Sequence, residues 1–383
     1  MKIIQIVLLS VLLVPVMAPG QPAAGGGGSD ADAKRFAEIQ AKHRQGQEVT
    51  QEEVQFAMQY MAAHKGAGKG TDKGKEQQYA EYAKAHLPQD STGMIPLTEL
   101  GKGAYKGEEG GLYPGGLNTP PEGHLKAGLA LAAQIAPLDK EGKKAADGKI
   151  VFLSIGMSNT TMEFQVFQKL AAGDKDLNPR LLIVDGAQGA QTAKVTAKPE
   201  SNFWKVVDER LAKEDVTAKQ VQAVWLKQAN GGPTEPFPAE AKRLEQDVVN
   251  TLHILHARFP NLKIAYMSSR IYAGYASSPL NPEPHAYEGA FAYKWLIADQ
   301  IAGKPELNYD PAKGEVKSPW VAWGPYLWAD GKKARKDGLT YTREDVGADG
   351  THPSESGRQK VGKLLLDFLK SDPTSRPWFL AGK

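Results

Sequence analysis

From residue 149 onward, the chain alternates between short apolar runs and longer stretches that are apolar on one side only. The runs that predict buried strands are KIVFLSI, RLLIVDGA, VQAVWLKQA, KIAYMSS and WVAWGPYLW. The one-sided stretches predict helices near 161–172, 202–214, 239–258 and 286–302, followed by a closing helix in PSESGRQKVGKLLLDFLK. This alternation indicates an α/β fold with a parallel sheet that helices cover on both faces.

Ligands bind such sheets at the carboxyl ends of the strands. The loops that follow the first four predicted strands are therefore the first place to look for a site. They span residues 156–161, 185–192, 228–233 and 268–284.

The first 148 residues do not follow this alternation. Residues 1–24 predict a signal peptide, because Lys2 precedes a short apolar run, Ile3–Val16, and small residues follow it. A run of this length is too short to span a bilayer comfortably, which disfavours the alternative of an uncleaved anchor. We expect an exported protein, periplasmic or extracellular, without a stable membrane anchor.

Two further regions precede the first strand. Residues 25–91 predict a glycine-rich tether and a helical extension, in which Thr50 and Glu53 can form a capping box. Residues 92–148 are rich in glycine and proline and predict a long structured loop. The domain that contains the sheet then spans residues 149–372, and residues 373–383 form a C-terminal tail.

Composition narrows the classes of function. The 383 residues carry a net charge of +3, which gives no reason to expect nucleic acid as a partner. The chain has no cysteine, so an exported form must be stable without disulfide bonds. The sequence contains no Walker loop, no HExxH and no zinc-type Cys/His spacing.

Ser158 follows the first predicted strand, in the sequence GMSN. A serine at this corner can cap the next helix. It is also well placed as a nucleophile, because the N–H groups and the dipole of a helix start stabilise a developing oxyanion. Thr160 stands where the elbow of α/β-hydrolases has its second glycine, which argues against that family. Ser158 alone leaves cap and nucleophile open.

A serine nucleophile needs a base, and GADGTHPSESG supplies one before the closing helix. Asp349 and His352 lie three residues apart on a turn, so the carboxylate can reach the imidazole. It would then fix the tautomer and stabilise the imidazolium. The alternative is a turn aspartate beside a surface histidine.

Two more loops carry possible oxyanion donors. Gly189 follows the second strand, and a glycine there lets its backbone N–H approach a ligand closely. Asn230 follows the third strand and can offer a side-chain amide. The alternative in both places is an ordinary turn, for which Asn230-Gly231 is a good dipeptide.

In their order, these four blocks resemble those of the SGNH (GDSL-like) hydrolase superfamily. GMSN, which contains Ser158, is similar to the GQSN of the sialate O-acetylesterase and acetylxylan esterase branch. Gly189 matches the oxyanion glycine of that superfamily, and Asp349 and His352 match its last block. Asn230 matches the oxyanion asparagine, although QANG departs from the usual Gly-x-Asn-Asp.

The resemblance covers about residues 149–370 and implies a flavodoxin-like three-layer α/β/α sandwich that hydrolyses esters through an acyl-serine. His352 would take the proton of Ser158, and the oxyanion would lie between the N–H groups of Ser158 and Gly189 and the amide of Asn230. No metal or organic cofactor is implied. The expected substrate is a small-molecule or polysaccharide ester, with O-deacetylation of a carbohydrate as the reaction. A lipase or lysophospholipase-like esterase, and a non-catalytic carbohydrate- or envelope-binding protein on the same fold, remain as alternatives.

Several other side chains are candidates for substrate contact. Those after the fourth strand are Arg270, Tyr272, Tyr275, His285 and Tyr287, and Tyr113 or His124 would join them if GLYPGGLNTPPEGH, residues 111–124, folded over the site. Structural packing is the alternative for all of them, and for Arg270 also an internal pair with Glu283 or Glu288. His253 and His256 have the spacing of a metal-binding pair, but no third ligand is evident, so an ordinary helix face is the preferred interpretation.

Overall fold

The computed structural model describes residues 30–44, 53, 56, 79 and 81–382. The chain divides into two compact units, residues 1–78 and 79–383. The described part of the first unit contains helix α1, Asp30–Arg44. The predicted signal peptide and tether and most of the predicted capped helix lie outside the described residues. No helix in the described ranges is long and apolar enough to cross a membrane.

The second unit begins with short elements and one longer helix. These are α2 Leu97–Leu100, β1 Ala104–Tyr105, β2 Glu108–Glu109 and α3 Glu122–Ala132. β1 and β2 form an antiparallel hairpin. The segment predicted as a long structured loop is therefore partly regular, because it contains a helix of 11 residues.

The alternating part of the chain follows. Its elements are β3 Ile150–Gly156, α4 Ser158–Ala172, β4 Leu181–Asp185, α5 Ala193–Thr196, α6 Asn202–Lys213, β5 Val221–Lys227, α7 Ala239–Arg258, β6 Ile264–Ser268, α8 His285–Ile301, β7 Trp320–Trp323, α9 Glu355–Ser371 and α10 Arg376–Phe379. Every strand and helix that the hydrophobic pattern predicted from residue 149 onward is present.

The five strands of the main sheet are all parallel, in the order β4-β3-β5-β6-β7. The chain leaves β3 toward β4 on one side and later continues to β5 on the other, so the strand order reverses at β3. Such a reversal opens a crevice at the carboxyl ends of the strands, where flavodoxin-like proteins bind their ligands. Gly156, Lys227 and Ser268 lie in register at this end of β3, β5 and β6.

Helices cover both faces of the sheet. α4 and α9 pack together on one face, where Phe164 stacks on Trp225 with ring centroids 5.9 Å apart. α7 and α8 pack together on the other face. β3, β5 and β6 are buried along their whole length, as a sheet with two covered faces requires. The predicted three-layer α/β/α sandwich is confirmed.

Side chains from outside the sheet complete the open edge of β7. Tyr113 Oη accepts a hydrogen bond from Trp323 N at 3.2 Å, and Val321 N donates to Gln300 Oε1 at 2.8 Å. His124 Nε2 lies 2.8 Å from Val321 O. α3 lies against this edge through Gly128, where an added Cβ would come within 2.4 Å of the Trp320 ring. Tyr113 and His124 thus cover the sheet edge, which is the packing alternative left open above.

Candidate active site

Ser158 is the first residue of α4, directly beyond the carboxyl end of β3. The turn before it is tight, because an added Cβ on Gly156 would lie 2.4 Å from Lys227 O and 2.3 Å from Thr160 Oγ1. Met157, in an extended conformation, occupies the N-cap position, and no side chain caps the helix. The Ser158 hydroxyl therefore does not cap α4 and is available for another partner.

That partner is His352. Ser158 Oγ lies 2.7 Å from His352 Nε2, and His352 Nδ1 lies 2.5 Å from Asp349 Oδ2. The first distance is normal for a hydrogen bond, and the second is short, as bonds between charged groups are. The three side chains form a continuous chain from hydroxyl to imidazole to carboxylate, and the two ends of that chain are 191 positions apart in sequence numbering, from 158 to 349.

The turn that carries His352 is built around the Asp349 carboxylate. Asp349 Oδ1 accepts the backbone N–H groups of Thr351 and His352, each at 3.0 Å. Gly350 has φ +63°, and an added Cβ would come within 1.7 Å of Tyr275 O, so only glycine fits there. Burial alone would raise the pKa of Asp349, but the hydrogen bonds from the His352 ring and the two N–H groups outweigh it and lower the pKa to about 2.

The stabilisation that Asp349 provides should disappear only in strong acid. Its pKa of about 2 in the folded chain lies below the ordinary aspartate value of about 3.9, so the unfolded chain takes up the proton first as the pH falls. The contribution of the ionised Asp349 carboxylate to the free energy of unfolding is fully present above about pH 4 and is lost as the pH falls toward about 2. Since 39 % of the side chain is exposed, we expect it to be at most about 1 kcal/mol.

Urea unfolding of the wild type and of Asp349→Asn measures this contribution. The difference in unfolding free energy should not decrease between about pH 7 and about pH 5 and should shrink below about pH 4. A difference that already shrinks between about pH 7 and about pH 5 would contradict the lowered pKa of Asp349.

Gly189 lies in the loop after β4 and is exposed. Gln188 N donates to Gly156 O at 3.0 Å, which holds this loop against the turn that carries Ser158. Arg210 Nη1 holds it from the other side through Asp185 O and Ala187 O, each at 2.7 Å. The N–H of Gly189 makes no hydrogen bond with another described residue. The structure therefore brings a free backbone donor into the loop beside Ser158.

Asn230 is held more tightly than the sequence suggests. Its Nδ2 donates to Asp247 Oδ2 at 3.0 Å, and its Oδ1 accepts the N–H of Lys194 at 3.2 Å. Asn281 Nδ2 donates to Asn230 O at 3.0 Å. Only one of the two amide hydrogens of Asn230 is therefore left for a ligand.

The predicted substrate-contact residues have their side chains in the interior. Tyr272 Oη donates to Gln89 O at 2.7 Å, and Tyr275 Oη donates to Asp90 Oδ1 at 2.9 Å. Tyr272, Tyr275 and Tyr113 are at most 3 % exposed. Their burial and their occupied hydroxyl groups match the alternative of structural packing.

His285 is the one member of this group with an exposed part. Its side chain is 20 % exposed, and Nδ1 lies 3.7 Å from Glu288 Oε2. It borders a small cavity, together with Asn230, Asn281 and Glu288, that has room for about one water molecule.

The histidine pair on α7 does not assemble a metal site. His253 Nε2 lies 2.6 Å from Glu306 O, so one ring already has a backbone partner. Across the described part of the chain, no group of three or more His, Asp or Glu side chains is placed to hold a metal ion.

Asn159 has no role in the sequence-based prediction, and neither does the pair of Glu163 and Lys227. Asn159 Nδ2 donates to Thr351 O at 3.0 Å, next to His352. Lys227 Nζ lies 2.7 Å from Glu163 Oε1, and both side chains are fully buried. A lysine within the apolar strand VQAVWLKQA is a sequence signal for a buried contact, but it does not identify Glu163, which lies on α4, as the partner.

No family model and no curated protein sequence matches the chain. Three solved structures are similar to it at low levels. An acetyl esterase is 14% identical, with 57% of this chain and 95% of that chain covered and a TM-score of 0.33. The periplasmic domain of a lipopolysaccharide acetyltransferase of Salmonella ser. Paratyphi A is 12% identical, with 64% of this chain and 94% of that chain covered and a TM-score of 0.30. A salicylyl-acyltransferase from a tetracycline biosynthetic pathway is 12% identical, with 61% of this chain and 58% of that chain covered and a TM-score of 0.30. Values this low say nothing about what this chain does, so a functional conclusion depends on the site.

Proposed function

We propose that the protein is a serine esterase that cleaves ester bonds through an acyl-serine intermediate. The observation that carries this proposal is the continuous contact from Ser158 Oγ to His352 Nε2 (2.7 Å) and from His352 Nδ1 to Asp349 Oδ2 (2.5 Å). A nucleophile, a base and a group that orients the base are the three parts that acyl transfer to serine needs. They lie at the carboxyl end of the parallel sheet, where the fold places ligands.

In the proposed mechanism, His352 Nε2 accepts the Ser158 proton while Ser158 Oγ forms a bond to the ester carbonyl carbon. The tetrahedral intermediate collapses as the bond from carbon to the alcohol oxygen breaks, and His352 returns the proton to the leaving alcohol. Water then attacks the acyl carbon with His352 again as the base, the bond from that carbon to Ser158 Oγ breaks, and His352 returns the proton to Ser158 Oγ. Asp349 stays ionised through the cycle because its pKa is about 2, and it stabilises the imidazolium of each step.

The oxyanion would be stabilised at the start of α4. The N–H of Ser158 belongs to the first turn of the helix, where N–H groups lack intrahelical acceptors. The N–H of Gly189 is the second proposed donor, and the remaining amide hydrogen of Asn230 is the third. Because Asp247 already binds the Asn230 amide, we expect Asn230 to contribute less than the two backbone groups.

The proposed substrate is an O-acetylated carbohydrate met outside the cytoplasm. The support for the acetyl ester and the sugar is the similarity of GMSN to the GQSN of carbohydrate O-acetylesterases. The support for export is the signal-like pattern of residues 1–24.

Two measurements test the esterase. Purified protein should hydrolyse p-nitrophenyl acetate, and a fluorophosphonate probe should label Ser158, as mapped by mass spectrometry of the labelled peptide. Release of acetate from acetylated polysaccharides, but not of fatty acid from long-chain esters, should then identify the substrate class. Absence of both turnover and labelling would refute the esterase and favour a non-catalytic binding protein.

A further inference from the structure

One backbone carbonyl joins three parts of the candidate site. Thr351 O accepts a hydrogen bond from Asn159 Nδ2 at 3.0 Å and another from Arg270 Nη2 at 3.2 Å. Thr351 and Asn159 are at most 1 % exposed and Arg270 is 3 % exposed, so water does not compete for these bonds. We call Asn159, Arg270 and the Thr351 carbonyl the Thr351 clamp.

The clamp connects the backbone next to Ser158 with the backbone next to His352. Asn159 directly follows Ser158 on α4, and Thr351 directly precedes His352. The bond from Asn159 to Thr351 therefore joins the backbone beside the hydroxyl to the backbone beside the imidazole. A second anchor, Ser277 N to Asp349 O at 2.9 Å, holds the far end of the same turn.

Arg270 donates to the Thr351 carbonyl from a buried, positively charged group. Burying an uncharged donor in the same place would cost less free energy. The guanidinium of Arg270 is fully enclosed, and Nε has no hydrogen-bond partner among the described residues. Burial lowers the pKa of Arg270, against the opposing effect of the carboxylates of Glu163, Glu283 and Asp349. A buried charge is rarely a net source of stability, and here its bond goes to the turn that carries the base.

We propose that Asn159 and Arg270 are positioning residues, which hold His352 at the distance from Ser158 that proton transfer needs. The kinetic role of the clamp rests on the proposed esterase function, whereas its geometric role does not. Misplacement of a catalytic group by about 1 Å can cost about 10²-fold in rate. The clamp is thus expected to act on kcat while leaving KM unchanged, because neither side chain is exposed to substrate.

The geometric part is tested by crystal structures of the wild type and of Asn159→Ala. The wild type should keep the 2.7 Å contact between Ser158 Oγ and His352 Nε2, and the variant should lose it while the sheet is unchanged. Asn159→Asp, which is isosteric but places a carboxylate against the carbonyl, is the second variant if Asn159→Ala does not fold. A variant that keeps the contact overturns the clamp, whatever its activity.

The kinetic part compares Asn159→Ala, Arg270→Met and Arg270→Lys on p-nitrophenyl acetate. We expect kcat to fall about 10- to 100-fold for Asn159→Ala and Arg270→Met with KM within about 2-fold, and Arg270→Lys to recover part of the loss. Tyr266→Phe is the matched control, because it removes a buried hydrogen bond to Thr374 on the α9–α10 side of the sheet. It should lower the melting temperature without lowering kcat.

The outcomes separate the two proposals. Unchanged kcat in Asn159→Ala, or the same fall in kcat for Tyr266→Phe, would overturn the positioning role in an active enzyme. An inactive wild type whose Asn159→Ala variant loses the contact would refute the esterase and leave the geometric role of the clamp standing.

Discussion

Replacing Ser158 by alanine should reduce kcat by roughly 10⁴- to 10⁶-fold, with the folded state unchanged. The substitution removes the hydroxyl that lies 2.7 Å from His352 Nε2, and that nitrogen has no second hydroxyl partner among the described residues. It should cost little stability, because Ser158 does not cap α4. Residual hydrolysis would then come from water activated by His352 and from the oxyanion donors.

Steady-state kinetics on p-nitrophenyl acetate, with thermal unfolding of the same samples, measure both halves of this result. Ser371→Ala is the matched control, since its hydroxyl donates to Asp367 O and Phe368 O of its own helix, α9. It should keep wild-type turnover. A Ser158→Ala enzyme within about 10-fold of the wild-type kcat would exclude Ser158 as the nucleophile.

Replacing Lys227 by methionine should destabilise the fold by about 3–5 kcal/mol. Lys227 Nζ lies 2.5 Å from Glu163 Oε2, and neither side chain has any exposed surface. Burial raises the pKa of Glu163 and lowers the pKa of Lys227, while the contact between the two charges opposes both shifts; burial has the larger effect, and the pKa of Lys227 is about 8. Methionine fills similar space but leaves the Glu163 carboxylate without this partner, so Glu163 must be buried as an anion or take up a proton.

The double variant Glu163→Leu/Lys227→Met is the control for packing. Well-packed apolar pairs often replace buried ion pairs without loss, so it should recover most of the stability that the single variant loses. Urea unfolding midpoints at neutral pH provide the comparison. If Lys227→Met stays within about 1 kcal/mol of the wild type, Glu163 has another adequate partner. The positive charges of Arg270 and Arg358 also act on the Glu163 carboxylate.

The hydrophobic pattern predicted the sheet and its helices well because both are periodic. α7 has the same bounds, 239–258, that its pattern predicts. α4 begins three residues before the predicted start at 161, because Met157 ends the extended segment without a capping side chain. That difference matters, since it places Ser158 inside the helix instead of at its cap.

Helix α3 was missed for a different physical reason. It packs through Gly128 and Ala132, with the backbone close to the Trp320 ring. A face of small residues leaves almost no apolar periodicity in the sequence, so the segment looked like a glycine-rich loop. Tertiary packing, not local preference, decides its structure.

The sequence likewise predicts some contacts of the candidate site and not others. The contacts of Ser158, Asp349 and His352 follow from residue type and from the ends of parallel strands, which a sequence can show. The Asn159 contact with Thr351 joins positions 192 apart and has no local signature. The sequence also does not show that Tyr272 and Tyr275, after β6, point into the core. A loop rich in aromatic residues has the same composition whether it contacts a ligand or packs in the interior.

The hydrogen bonds on the outer edge of β7 affect the choice of the first residue for a shortened fragment of this protein. The hydrolase-like blocks start at about residue 149, yet Tyr113 and His124 supply the partners of Trp323 N and Val321 O. A fragment that began at residue 149 would leave Trp323 N and Val321 O without these partners on the outer edge of β7, and an exposed strand edge is a template for pairing with another chain. We therefore expect the segment of residues 92–148 to protect this edge from intermolecular pairing, and a fragment without it to aggregate.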